Sequence, residues 1–118
     1  DYSNAIVAVS PTGRGVVYRQ RVPVPIGMWH PWSSDSAVAH WSGPGGFTFQ
    51  GKHYGALLCY EQLLIWPVLQ TYAEQPELVL APTNAWWSRR TSVPALQKSI
   101  VTAWARLFDT PAVTAFNF

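Results

Sequence analysis

The chain has 118 residues, enough for one domain with a core and too few for two. Hydrophobic residues make up 48% of it and charged residues only 12%, which excludes the disordered class and indicates much buried surface or a missing partner surface. The net charge of +2 is scattered over turns and helix faces as Arg14, Arg19, Arg21, Arg89, Arg90 and Arg106, so no direct nucleic-acid binding is expected.

Ala5 to Val9 and Val16 to Gln20 are β-rich runs on either side of a glycine turn and predict an antiparallel hairpin. The stretch from Arg21 to Gly46 holds Pro23, Pro25, Pro31 and Pro44 with four glycines, which forbids a long regular element. A loop of that length is usually functional. Its tryptophans, Trp29, Trp32 and Trp41, suit either core plugs or a ligand site. Phe47-Thr48-Phe49 and His53 to Leu58 flank Gln50-Gly51-Lys52 as a second hairpin, and the second strand loses its polar alternation toward Cys59, as a doubly buried strand does.

Pro67 suits the first turn of a helix reaching about Glu74. Glu77 to Ala81 predicts a short strand, with Pro82 to Ser88 as a polar-aromatic loop at its carboxyl end. Ser92 is placed to cap a helix that has Pro94 in its first turn and Val93, Leu96, Ile100, Trp104 and Leu107 at helical spacing, running through Asp109. Ala112 to Phe116 is the last strand. The order ββ, long loop, ββα, βα, β predicts an α/β sheet packed under helices.

Cys59 is the only cysteine, so no internal disulfide exists and it is either a buried structural thiol or a nucleophile. The pattern places it at the carboxyl end of a buried strand, before a helix. That is where open α/β folds bind ligands, and where a helix N-terminus lowers a thiol pKa and backbone N–H groups, such as that of Tyr60, hold an oxyanion. Asn84, Trp86 and Trp87 fall at the end of the neighbouring strand, as a pocket wall or as packing under the long loop, with Trp29 a further pocket candidate. Glu61 fits a loop-fixing or substrate-binding role, or simply an acid at a helix start. His30, His40 and His53 lack metal-ligand spacing, so neither metal nor cofactor is expected. The longest apolar run, Leu63 to Leu69, is far short of the roughly 20 residues of a bilayer span.

Gly55 to Glu61, with its Cys-Tyr-Glu, resembles the nucleophile segment of the carbon-nitrogen hydrolase (nitrilase) superfamily, nearest its apolipoprotein N-acyltransferase branch. Tyr18 to Gly27 is similar to the family's Tyr-x-Lys-x-x-Leu-Val-Pro-Phe-Gly, Thr83 to Trp87 to its Asn-Asp-Ala-Trp-Phe loop, and the helix from Ser92 through Asn117 to the segment leading to its Ala-Asn-Thr-Gly. The Pro-Val-Pro and Met-Trp-His-Pro-Trp wording resembles conjugal-transfer TraB-type proteins of plasmid-bearing bacteria. The resemblance implies an α-β-β-α sandwich, of which residues 1–118 would be the C-terminal portion of one domain. The Asp1 start and the unclosed last strand agree with a partial chain.

It also implies a Glu, Lys and Cys set in which Cys59 attacks an acyl carbon to form a thioester. The base Glu would precede Asp1. The Lys position falls on Gln20, which keeps an N–H donor but carries no charge, with Arg19 and Arg21 expected on the opposite strand face, and Met28 stands where the acyltransferases have a Glu. Two functions follow: acyl transfer or amide hydrolysis on an acyl donor or amide substrate, or a catalytically impaired binding or assembly module of a conjugation or envelope complex. The implied setting is bacterial and membrane-associated with this domain outside the bilayer, in the periplasm. Further copies of the chain, absent segments or conjugation and envelope proteins are the expected protein partners.

Overall fold

The computed structural model describes residues 1–118. Strands β1 (Ala5–Ser10) and β2 (Gly13–Arg19) form an antiparallel hairpin that stands apart as its own two-stranded sheet. Four strands make the second sheet in the order β3 (Gly46–Phe49), β4 (Lys52–Ala56), β5 (Leu78–Asn84), β6 (Ala112–Asn117). β3 and β4 are antiparallel, and β4, β5 and β6 run parallel. Helices α1 (Ile65–Ala73) and α2 (Val93–Leu107) are the two crossovers between the parallel strands, and a separate 3-10 helix spans Cys59–Leu63. The fold class is therefore mixed α/β, as the alternation of elements predicts.

Right-handed crossovers that step the same way along a sheet place both helices on one face. Leu57, Val68, Tyr72 and Val79 form the core on that face, with Trp104 and Ala112 packed against it. Phe108 stacks on Tyr72 at 4.4 Å between ring centroids, which extends the core toward the end of α2. The opposite face carries Phe47 stacked on Tyr54, and Val113, which is 52% exposed.

Several sequence expectations shift by a few residues for identifiable reasons. β5 continues through Pro82, Thr83 and Asn84, which the pattern assigns to a loop. Proline is tolerated there because of strand parity. Odd-numbered residues of β5 turn their N–H toward β6, as Val79 does to the Pro111 carbonyl, whereas even-numbered ones face β4, which has already ended. Pro67 is the third residue of α1, where its missing N–H costs no intrahelical bond.

Ser92 does not cap α2 with its side chain. Thr91 takes that place, accepting from the Val93 N–H at 3.2 Å. The buried stripe of α2 is also rotated from the apolar one: Gln97 and Val101 are buried while Leu96 and Leu107 are mostly exposed. Gln97 turns inward because its amide reaches the Cys59 carbonyl at 3.3 Å.

The long loop is ordered by its own backbone. The Met28 and Trp29 N–H groups both donate to the Val24 carbonyl, and Ala37 bridges to Tyr2 beside β1. Trp29 and Trp41 meet edge to face at 5.5 Å, so these two rings brace the loop against itself, while Trp32 is exposed. No helix is long and apolar enough to cross a membrane.

Strands β3 and β4 approach so closely at Gly46 that a side chain has no room: a Cβ there would fall 2.0 Å from the Tyr54 carbonyl oxygen. Gly15, in the β1–β2 hairpin, has nothing within 4 Å of such a Cβ. Gly46→Ala is expected to lower stability by roughly 2–3 kcal/mol and Gly15→Ala by less than about 0.5 kcal/mol, measured by urea denaturation.

Candidate functional site

The carboxyl ends of the three parallel strands converge on a cavity of about 860 Å³. Leu58 and Cys59 enter it from beyond β4, Pro82, Thr83 and Asn84 from the end of β5, and Ala115, Phe116 and Asn117 from the end of β6. Ser3, Asn4 and Ala5 supply the wall beside β1, and Val24, Gly27 and Met28 of the long loop close it with Trp87. None of the lining side chains is charged. The position is the one that open parallel sheets provide for ligands, where strands end and their last backbone groups are left without partners.

Cys59 follows from that geometry. β4 pairs with β5 as far as Ala56 and Leu80, and the Leu57 N–H still reaches the Leu80 carbonyl at 3.0 Å. Beyond that point the chain leaves the sheet, so the β4-facing N–H of Asn84 is free to meet another acceptor. The Cys59 thiol lies near that N–H and near the Tyr60 N–H, both of which act to lower its pKa. Cys59 itself has φ of 53°, a left-handed conformation that is uncommon outside glycine and asparagine and is held only where surroundings over-determine it.

The thiol pKa is raised from its ordinary value. Burial is the main cause, the Asn84 and Tyr60 N–H groups pull it back in part, and the Glu61 carboxylate adds a smaller push upward. This corrects the expectation of a thiol acidified by a helix N-terminus. The following element is a five-residue 3-10 helix, too short to build a dipole that offsets desolvation.

Glu61 is buried and does not line the cavity. Its Oε1 accepts the Arg21 and Val22 N–H groups at 2.5 and 3.2 Å, and its Oε2 accepts the Tyr18 hydroxyl and the Leu58 N–H at 2.7 and 2.8 Å. All four lone-pair directions of the carboxylate are therefore used in fixing the Cys59 turn to the end of β2. Gln20 is also buried. Its Nε2 donates to the Leu58 carbonyl at 3.0 Å and its Oε1 accepts from Asn4 at 2.7 Å, so the amide braces the residue before Cys59.

Of the aromatic candidates, Trp87 reaches the cavity, whereas Trp86 and Trp29 are not on its wall. Asn84 reaches it and accepts from the Asn117 amide at 3.3 Å, so two strand ends present their amides side by side. Asn117 and Asn4 escape sequence reasoning because an asparagine at a strand end or loop carries no periodicity; register alone pairs Asn84 with Asn117.

Arg21 is the other residue that sequence reasoning misplaces. The alternation that turns it away from Gln20 holds only within a strand, and β2 ends at Arg19. Beyond that, both side chains turn inward and are buried. The Arg21 Nε donates to the Tyr18 hydroxyl at 3.0 Å and lies 3.6 Å from the Glu61 carboxylate. Burial beside Glu61 pushes the Tyr18 phenol far above its ordinary pKa, so it stays a hydroxyl donor at any physiological pH.

With this geometry in place, two relatives stand out. The chain is similar to TraB proteins. It is 42% identical over 98% of its length to the probable conjugal transfer protein TraB of Sinorhizobium fredii, and 40% identical over 98% to the conjugal transfer protein TraB of Agrobacterium fabrum. It spans 31% and 29% of those proteins. No protein-family model matches the chain. Neither relative's name carries carbon-nitrogen hydrolase chemistry.

Two outcomes check the site. Removing the Glu61 charge strands Arg21 in the interior, so Glu61→Gln should cost roughly 3–5 kcal/mol by urea denaturation. The half-buried thiol should be alkylated by iodoacetamide with a pH midpoint above that of free cysteine, and unfolding in urea should bring the midpoint back down.

Proposed function

We propose that this chain is the cysteine-bearing part of a TraB-type conjugal transfer protein, and that its cavity accepts an acyl group for transfer or hydrolysis through a thioester at Cys59. The observation that carries this reading is the placement of the Cys59 thiol on the cavity wall, with the Asn84 and Tyr60 N–H groups near it. In such a step the sulfur adds to the acyl carbon of an amide or lipid-like ester, and the carbonyl oxygen becomes an oxyanion within reach of those donors. The bond to the amine or alcohol then breaks, the leaving group takes a proton, and water or an amine later resolves the thioester.

The cavity favours neutral, largely apolar acyl groups, since Val24, Met28, Leu58 and Phe116 face it and no charge does. The cavity wall offers no carboxylate to take the thiol proton. In this reading a base Glu from another part of the protein serves that purpose, and the α-β-β-α sandwich is completed by further strands on the open sheet face. The setting is a bacterial envelope, with the domain beside rather than within the bilayer.

A second reading, a binding or assembly module without chemistry, is favoured by a specific pair of observations: the Gln20 amide is tied to Leu58 and Asn4, and the thiol pKa is raised. Intact-mass measurement of the protein after incubation with phospholipid or amide donors separates the two. An acyl adduct on the wild type that is lost in Cys59→Ala is the expected result. No adduct with any donor, together with one in Gln20→Lys, would show that the native chain has lost the chemistry.

A further inference from the structure

We infer that Arg21 is a positioning residue for Cys59, its buried guanidinium clamping both ends of the segment that carries the thiol. One nitrogen, Nη2, donates to the Ala56 carbonyl at 3.4 Å, where β4 ends, and to the Pro67 carbonyl at 3.1 Å, in the first turn of α1. It also donates to the Thr71 hydroxyl at 2.8 Å, and Thr71 in turn donates to the Ala56 carbonyl at 3.1 Å. Nη1 reaches Gln70 at 3.0 Å. Residues 56 and 67 bracket Cys59, so one planar group sets the distance between the strand that delivers the thiol and the helix that carries the chain away from it.

The backbone of the same residue holds the middle of the segment. The Arg21 N–H grips the Glu61 carboxylate, and that carboxylate grips the Leu58 N–H. Cys59 thus keeps its left-handed φ between a fixed residue 58 and a fixed residue 61. Arg21 has no place on the cavity wall, so whatever it does for the thiol it does through this segment. The groups that could couple to the thiol are Glu61, with Tyr18 and Arg21 behind it. A lysine at position 21 would carry the charge, but its single nitrogen replaces three and cannot hold Tyr18 and Gln70 together with the Ala56, Pro67 and Thr71 acceptors.

The inference rests on the acyl-transfer reading for its consequence and on thiol reactivity for its test. In the full chain, Arg21→Lys and the milder Thr71→Val are compared with wild type by iodoacetamide alkylation across a pH series, and by rate of acyl-adduct formation, with circular dichroism confirming the folded state. A loosened clamp releases Cys59 from its half-buried seat. The expected result is an alkylation midpoint moved toward the free-thiol value in one homogeneous population, with adduct formation slowed about tenfold or more in Arg21→Lys and less in Thr71→Val.

Wild-type midpoints in both folded variants would overturn the positioning role. So would a mixture of native-like and unfolded populations in Arg21→Lys alongside a wild-type Thr71→Val, which marks Arg21 as merely structural. If the midpoint moves while wild type forms no adduct, the clamp stands and the acyl-transfer reading falls. If adduct forms equally in all three, the reading stands and the clamp falls.

Discussion

The buried carboxylate of Glu61 is the interaction on which the rest of the molecule depends. It receives N–H groups from Arg21, Val22 and Leu58 and the hydroxyl of Tyr18, and so joins the end of the β1–β2 hairpin to the turn after β4. These two parts belong to different sheets with no ladder between them. A charge in that position is tolerable only because Arg21 lies beside it and every lone pair is occupied; left with one partner missing, it would be among the costliest defects a small domain can carry. The same carboxylate therefore welds the hairpin to the main sheet and fixes the residue before the thiol.

The site is built by strand endings. Parallel β4, β5 and β6 stop at different heights, and the unpaired backbone at their carboxyl ends becomes the wall of the cavity. Asn84 shows how: its N–H faces the side on which β4 has run out, and the Cys59 sulfur lies near it there. The wall carries no charge, so partial burial dominates at the thiol and raises its pKa with no nearby cation to offset it. A chemistry that uses this thiol must bring its own base close to the sulfur.

Much of this was legible in the residues. Hairpins were marked by Gly turns between β-rich runs, the buried strand before Cys59 by its lost alternation, and the second helix by Pro94 and apolar spacing. Hydrophobic spacing places the wrong face of α2 inward because it records only apolar residues, while Gln97 is drawn inward by a carbonyl that no periodicity reports. The pattern stops β5 early because proline usually ends strands, and whether it does depends on which edge its nitrogen faces.

The sequence by itself determined the order of elements, the α/β class and the placement of Cys59, Asn84 and Trp87 near one sheet edge, because local periodicity and turn chemistry act over a few residues. Tertiary structure alone decided that Arg21, Gln20 and Glu61 are interior, that Trp29 and Trp86 leave the cavity wall while Asn4 and Asn117 join it, and that burial raises the thiol pKa. Each of these depends on groups tens of residues apart in the chain. A buried ion pair has the same letters as an exposed one, and only the partners brought to it by folding distinguish them.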